Sequence, residues 1–97
     1  MTDMLPIVEE LADCQNHTER AAWLMRCPNF IFHREHLMLR RILQAAGLLA
    51  GVAYVEAKFA EQIATRLPDG TTPITILSAV YIAETDLKIS ARQEGAI

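Results

Sequence analysis

Apolar side chains recur every third or fourth residue along most of this chain, a spacing that specifies α-helix. The pattern is clearest at Val52, Val55, Phe59, Ile63 and Leu67, where Glu56, Lys58, Glu61, Gln62 and Arg66 fill the remaining faces. The same period runs through Phe32, His36, Leu39, Leu43 and Ala46. Only Ile74–Ile82, rich in β-branched and aromatic residues, has strand character. A lone strand has nothing to pair with. Thr72-Pro73 before it reads as a cap and a first-turn proline, and Ile76, Leu77, Val80, Ala83 and Leu87 keep helical spacing. The segment is therefore predicted to be helix, and the fold class is all-α: a small bundle of four to five helices.

Punctuation divides the bundle. Pro6 is preset for a first helical position, and a short helix with Leu5, Val8, Leu11 and Ala12 on one face is expected to end near Cys14 or Gln15. Asn16, with Glu19 three residues on, predicts a capped start for the second helix; Thr18 is the competing cap. Ala21, Leu24 and Met25 line one side of it, with Trp23 expected in the core. Pro28 ends this helix because Cys27, before a proline, is pushed out of the α region. Asn29 is the predicted cap of the third helix, and a break or bend is expected near Gly47. Leu67-Pro68-Asp69-Gly70 carries turn chemistry. Residues 1–97 make one domain, with a tail expected to fray from about Arg92.

Composition makes the helices more interesting than their count. The chain is 52% hydrophobic, yet a chain of 97 residues buries only roughly 60–65% of its unfolded surface. The surplus predicts an apolar face covered by a partner, with a homodimer as the leading expectation. The richest segments are Ala45 to Val55 and Ile76 to Tyr81, which nominates Leu48, Leu49, Val52, Ile76, Val80 and Tyr81 as interface residues. Gly47-Leu48-Leu49-Ala50-Gly51 adds the small-residue spacing of close helix contacts.

The net charge of −3 argues against a protein that binds nucleic acid over its whole surface. Charge is uneven, however. Asp3, Glu9, Glu10 and Asp13 make the first segment acidic, while Arg20 to Arg41 is basic. An alternative expectation is a helix-turn-helix regulator whose Arg34, Arg40 and Arg41 meet DNA. The same patch also suits the acidic first helix of another copy, or an acidic partner.

Cys14, His17, Cys27, His33 and His36 are all of zinc-ligating type, which raises a metal-binding alternative. They lack the paired spacing of structural zinc sites, so packing is the expected role of all five. There is no nucleophile elbow and no glycine-rich phosphate loop. No enzyme activity and no cofactor are expected. The acidic N-terminus does not read as a signal peptide, and the near-apolar run from Ile42 to Val55 is too short to span a membrane. Two cysteines are too few for a disulfide framework, which suits the cytoplasm. The expected role is a non-enzymatic protein–protein interaction module. The profile is that of a small bacterial or phage regulator, adaptor, chaperone or inhibitor.

Overall fold

A proline opens the first helix and a proline closes the second in the computed structural model, which describes residues 5–94. α1 spans Pro6–Ala12 with Pro6 as its first helical residue. α2 spans His17–Arg26 and is capped by Asn16, whose Oδ1 accepts from the Glu19 amide at 2.8 Å. The Glu19 carboxylate reaches back to the Gln15 amide at 2.7 Å, one residue further than a standard capping box. Cys27 before Pro28 is extended, at φ −69° and ψ 128°, and α2 stops there.

α3 spans Asn29–Ala46, with Pro28 rather than Asn29 in the cap position and no side-chain cap. The expected Asn29 cap is thus displaced by one residue: Pro28 is fixed at φ −61° with an extended ψ of 146°, and its carbonyl accepts from the Ile31 amide at 3.1 Å. α3 bends at Glu35, which leaves the helical region at φ −115° and ψ 19°. Beside the bend His36 Nδ1 lies 3.1 Å from the His33 carbonyl oxygen. A side chain that takes a backbone carbonyl from the helical ladder is a recognised cause of a kink. Gly47, at φ 82°, closes α3: its amide and that of Leu48 donate to the Gln44 and Leu43 carbonyls at 3.1 and 3.0 Å, a Schellman motif.

α4 spans Leu49–Ile63, four residues shorter than the apolar repeat to Leu67 predicts. Ala64 is already extended, and Pro68 disfavours helix at Leu67. Ile63 and Leu67 consequently stand exposed. The predicted turn follows, with the Gly70 amide donating to the Leu67 carbonyl at 2.7 Å and Gly70 at φ 88°. The Asp69 carboxylate accepts from the Thr71 amide and hydroxyl at 3.0 and 2.7 Å. These bonds hold the Asp69 carboxyl below its ordinary value.

α5 spans Ile74–Glu94, so the β-branched segment is helical. Thr72 does not stand next to the helix as its cap. The Pro73 carbonyl accepts the first turn's amides, and the Thr72 hydroxyl instead accepts from Arg66 Nη1. The helix continues past Arg92 to Glu94; the rest of the expected frayed tail, residues 95–97, lies outside the described residues.

The described residues comprise five helices and no strand, and 79% of them are helical. α3 packs on α4, α4 on α5, α2 on α5 and α1 on α3. The core runs through all five, from Val8 and Leu11 to Leu24, Phe32, Leu43, Val55 and Leu87. Trp23 belongs to it, with its indole N–H donating to the Ile7 carbonyl at 3.0 Å. The bundle is a slab, 45 × 37 × 18 Å, with a radius of gyration of 13.9 Å. A compact domain of this length has about 12.5 Å. Eighteen ångströms is two helix diameters at most, so every helix keeps an outward side.

Candidate functional site

The thin slab has its clearest consequence on α5. One side of this helix enters the core through Ala83, Leu87 and Ala91, with Val80 packed at its edge. The opposite side is also apolar: Ile74 is 72% exposed, Tyr81 72% and Ile82 60%, with Leu77 and Ile89 at 40% each. The intervals from Ile74 are three, seven, eight and fifteen residues, which keeps these side chains on one stripe. Ser78 and Thr85 fill the gaps, and the Thr85 hydroxyl turns back to the Tyr81 carbonyl at 3.0 Å. Ile74, Leu77, Ser78, Tyr81 and Ile82 line a shallow groove of about 440 Å³. A helix that is apolar on two opposite sides belongs between two layers. Here only one layer is present.

The nominated interface residues are divided by the fold. Leu48 and Val52 are buried in the subunit's own core at 2% and 8% exposure. Ile76 and Val80 are half-buried on the inner side of α5. Leu49 is exposed at 69% on the first turn of α4, away from α5's stripe in sequence, and Tyr81 stands in the centre of that stripe. Ile74, Leu77, Ile82 and Ile89 complete the stripe and escape a reading that follows a single apolar face. The available signal was Ala83, Leu87 and Ala91: small residues flanking one leucine identify the inner side, and the bulky β-branched residues then fall opposite.

The two glycines of the small-residue motif do different work. Gly47 supplies the left-handed closure of α3. Gly51 permits close packing, since a Cβ there would lie 3.2 Å from Leu43 Cδ2 and from Leu48 Cγ. A second groove, of about 410 Å³, runs between α2 and α5, floored by Ala21, Ala22, Met25 and Ala91 and edged by Lys88 and Arg92.

The arginines of the DNA alternative do not converge. Arg34 and Arg41 line a concavity of about 220 Å³ beside the α3 bend, together with Glu35, which pairs with Arg34 at 3.4 Å. Arg40 is half-buried elsewhere, and among the described residues its enclosed Nε has no hydrogen-bond partner.

The zinc-type residues are likewise dispersed. Cys14 Sγ donates to the Glu10 carbonyl, and His17 Nδ1 accepts from Arg20 at 2.7 Å. Cys27 Sγ lies 3.6 Å from the Pro28 carbonyl oxygen. His33 and His36 face Phe59 of α4, the latter stacked with ring centroids 3.8 Å apart. Among the described residues, no three His, Cys, Asp or Glu side chains gather closely enough to hold a metal ion. Burial pushes the Cys27 thiol up to about 12, and raises Cys14 as well. A nucleophilic cysteine needs the opposite shift. Burial, reinforced by the Glu84 and Glu61 carboxylates, likewise pushes the Tyr54 phenol up to about 12. Among the described residues, no helix is long and apolar enough to cross a membrane.

No family model, no curated protein and no solved structure matches this chain.

Proposed function

We propose that this chain is a non-enzymatic protein-binding module whose contact surface is the outer face of α5. One observation carries the proposal: five large apolar side chains, Ile74, Leu77, Tyr81, Ile82 and Ile89, are 40–72% exposed along one stripe of a helix whose other stripe is already buried. Contiguous apolar patches of this kind mark interaction sites, whereas singly scattered apolar residues carry no such meaning. The stripe has Tyr81 at its centre, an aromatic with a polar tip, which is the residue type that dominates contact energies. Its rim is polar, with Glu84, Lys88 and Arg92 beside it. Such a surface suits a small regulator, adaptor, chaperone or inhibitor. The two free thiols favour a reducing compartment, and we assign the chain to the cytoplasm on that ground.

The test compares the intact chain with an Ile74→Ser/Tyr81→Ser/Ile82→Ser variant, each immobilised and challenged with host lysate and with its own free chain. The expected result is at least one protein, the chain itself included, held by the intact surface and released by the variant. Identical retention on both surfaces refutes the proposal.

A further inference from the structure

We infer that the outer face of α5 is covered by a second copy of this chain, packed antiparallel about a two-fold axis between Tyr81 and Ile82. The inference rests on the reading of this face as a protein-binding surface and names its occupant. Apart from Leu77, whose mirror position is Asp86, the residue pattern along the face is symmetric about its midpoint. Ile74 lies seven residues before Tyr81, and Ile89 lies seven after Ile82. Ser78 lies three before Tyr81, and Thr85 three after Ile82. An antiparallel copy therefore sets Ile74 against Ile89, Ser78 against Thr85, and Tyr81 against Ile82. Each pairing occurs twice, which is the self-complementarity that a two-fold interface requires.

Charge points to the same arrangement. Arg92 puts positive charge at the C-terminal end of the face, where Lys88 is already paired with Glu84 at 2.9 Å, and Asp69 puts an exposed carboxylate in the loop before its N-terminal end. Antiparallel packing carries Arg92 of one copy to the Asp69–Thr71 loop of the other. Parallel packing stacks Arg92 on Arg92, which is repulsive. The area is of the right order. An aromatic side chain offers ~150–250 Å² when fully open, so Tyr81 at 72% exposure contributes more than ~100 Å². With four further apolar side chains in each of two copies the total is roughly 1,000 Å² before flanking residues are counted, near the ~1,200 Å² at which stable interfaces begin. The exposed Leu67 adds apolar surface at the same end, since its amide is tied to the Thr71 carbonyl at 2.8 Å.

The test has two arms. Sedimentation equilibrium follows the intact chain and Tyr81→Lys/Ile82→Lys, which places four cations around the proposed axis. The intact chain is expected to be a dimer at micromolar concentration, and the variant a helical monomer whose dissociation constant has risen at least ~100-fold. In the second arm single cysteines are introduced in a Cys14→Ser/Cys27→Ala background and oxidised. Ile82→Cys is expected to cross-link to its own counterpart. Ile74→Cys is expected to cross-link to Ile89→Cys in a mixture but not to itself, because the two copies of position 74 lie fifteen residues apart, about 22 Å along a helix. Self-linking of Ile74→Cys overturns the antiparallel register. An intact chain that stays monomeric overturns the second copy as occupant. If it then binds an apolar fluorophore that Tyr81→Lys/Ile82→Lys does not, the face remains a protein-binding surface for another chain. A dimer that survives Tyr81→Lys/Ile82→Lys overturns the second copy as occupant of this face, and the lysate comparison then decides whether another protein binds there.

Discussion

Leu87 and Ile82 lie five residues apart on α5 and on opposite sides of it, so truncating each should have effects of different kinds. Leu87 is fully buried. Leu87→Ala removes three carbons, worth ~0.8 kcal/mol each by transfer, or about 2.4 kcal/mol. The cavity left behind raises the total to about 3–4 kcal/mol. A domain of this size has a folding stability of roughly 5–15 kcal/mol, so this one change removes a sizeable part of it. The midpoint of thermal unfolding should fall by about 15–25 °C, at ~4–8 °C per kcal/mol. Ile82 is 60% exposed within one copy. Ile82→Ser should therefore cost a single copy less than ~0.5 kcal/mol. In the proposed dimer the same change removes burial at two symmetric positions, about 1–2 kcal/mol each, and raises the dissociation constant by roughly 30- to 1,000-fold. Urea denaturation followed by circular dichroism, at two protein concentrations a hundredfold apart, separates the two effects. Leu87→Ala should lower the midpoint at both concentrations, while Ile82→Ser should abolish the dependence on concentration. A cost below ~1 kcal/mol for Leu87→Ala would place α5 outside the core. Equal midpoint shifts for Ile82→Ser at both concentrations would remove its outer face from any interface.

Three further predictions follow from the geometry. Gly47→Ala should destabilise by about 1–2 kcal/mol in urea melts, from backbone strain alone, because φ is 82° and a Cβ there meets nothing within 4 Å; Gly47→Asn should recover part of the loss, and a neutral Gly47→Ala would contradict the Schellman closure. Stability should decline above pH 9: Cys27 and Tyr54 sit near 12 in the folded chain against ordinary values of 9.0 and 10.0, so the unfolded chain loses these protons first. The stabilisation is complete below pH 9 and is lost as pH rises from there towards 12, and Tyr54→Phe should flatten the upper part of that decline in thermal melts. Duplex DNA should show no salt-dependent binding in fluorescence anisotropy at low ionic strength, since Arg40 lies apart from Arg34 and Arg41 and Glu35 pairs with Arg34 between them; affinity that falls steeply with salt and vanishes in the triple alanine variant would support the helix-turn-helix reading.

The elements of the bundle were legible because their signals are local. Asn16 with Glu19, Pro28 and Gly47 each act through one or two backbone hydrogen bonds, and the helix ends fall where those residues stand. Periodicity also overrode β propensity correctly at Ile74–Ile82, where Thr75, Ile76, Val80 and Ile82 would each favour strand. It misled at the end of α4. Ile63 and Leu67 match the spacing of Val52, Val55 and Phe59, but the chain leaves the helix at Ala64, and spacing carries no information about where the neighbouring helix ends. The proposed contact face was located only to a segment. Leu48 and Val52 are as apolar as Leu49, yet the fold encloses them and leaves Leu49 out. Which stripe of α5 turns inward depends on α4 and α2, and a single sequence does not rank two apolar stripes of similar strength. The bend at Glu35 was invisible for another reason. It stands beside one side-chain contact of His36, with neither Pro nor Gly at the bend, and no residue-type signal marks it.

The chain's two tyrosines provide the most direct test of the surplus apolar face. Tyr54 is 5% exposed inside the bundle and Tyr81 is 72% exposed at the centre of the α5 stripe. Nitration with tetranitromethane, read by mass spectrometry, should modify Tyr81 rapidly in dilute protein and progressively more slowly as concentration rises, with Tyr54 slow throughout. A Tyr81 rate independent of concentration, in a sample that sedimentation shows to be associated, would mean that the subunits meet elsewhere and that this face is left open.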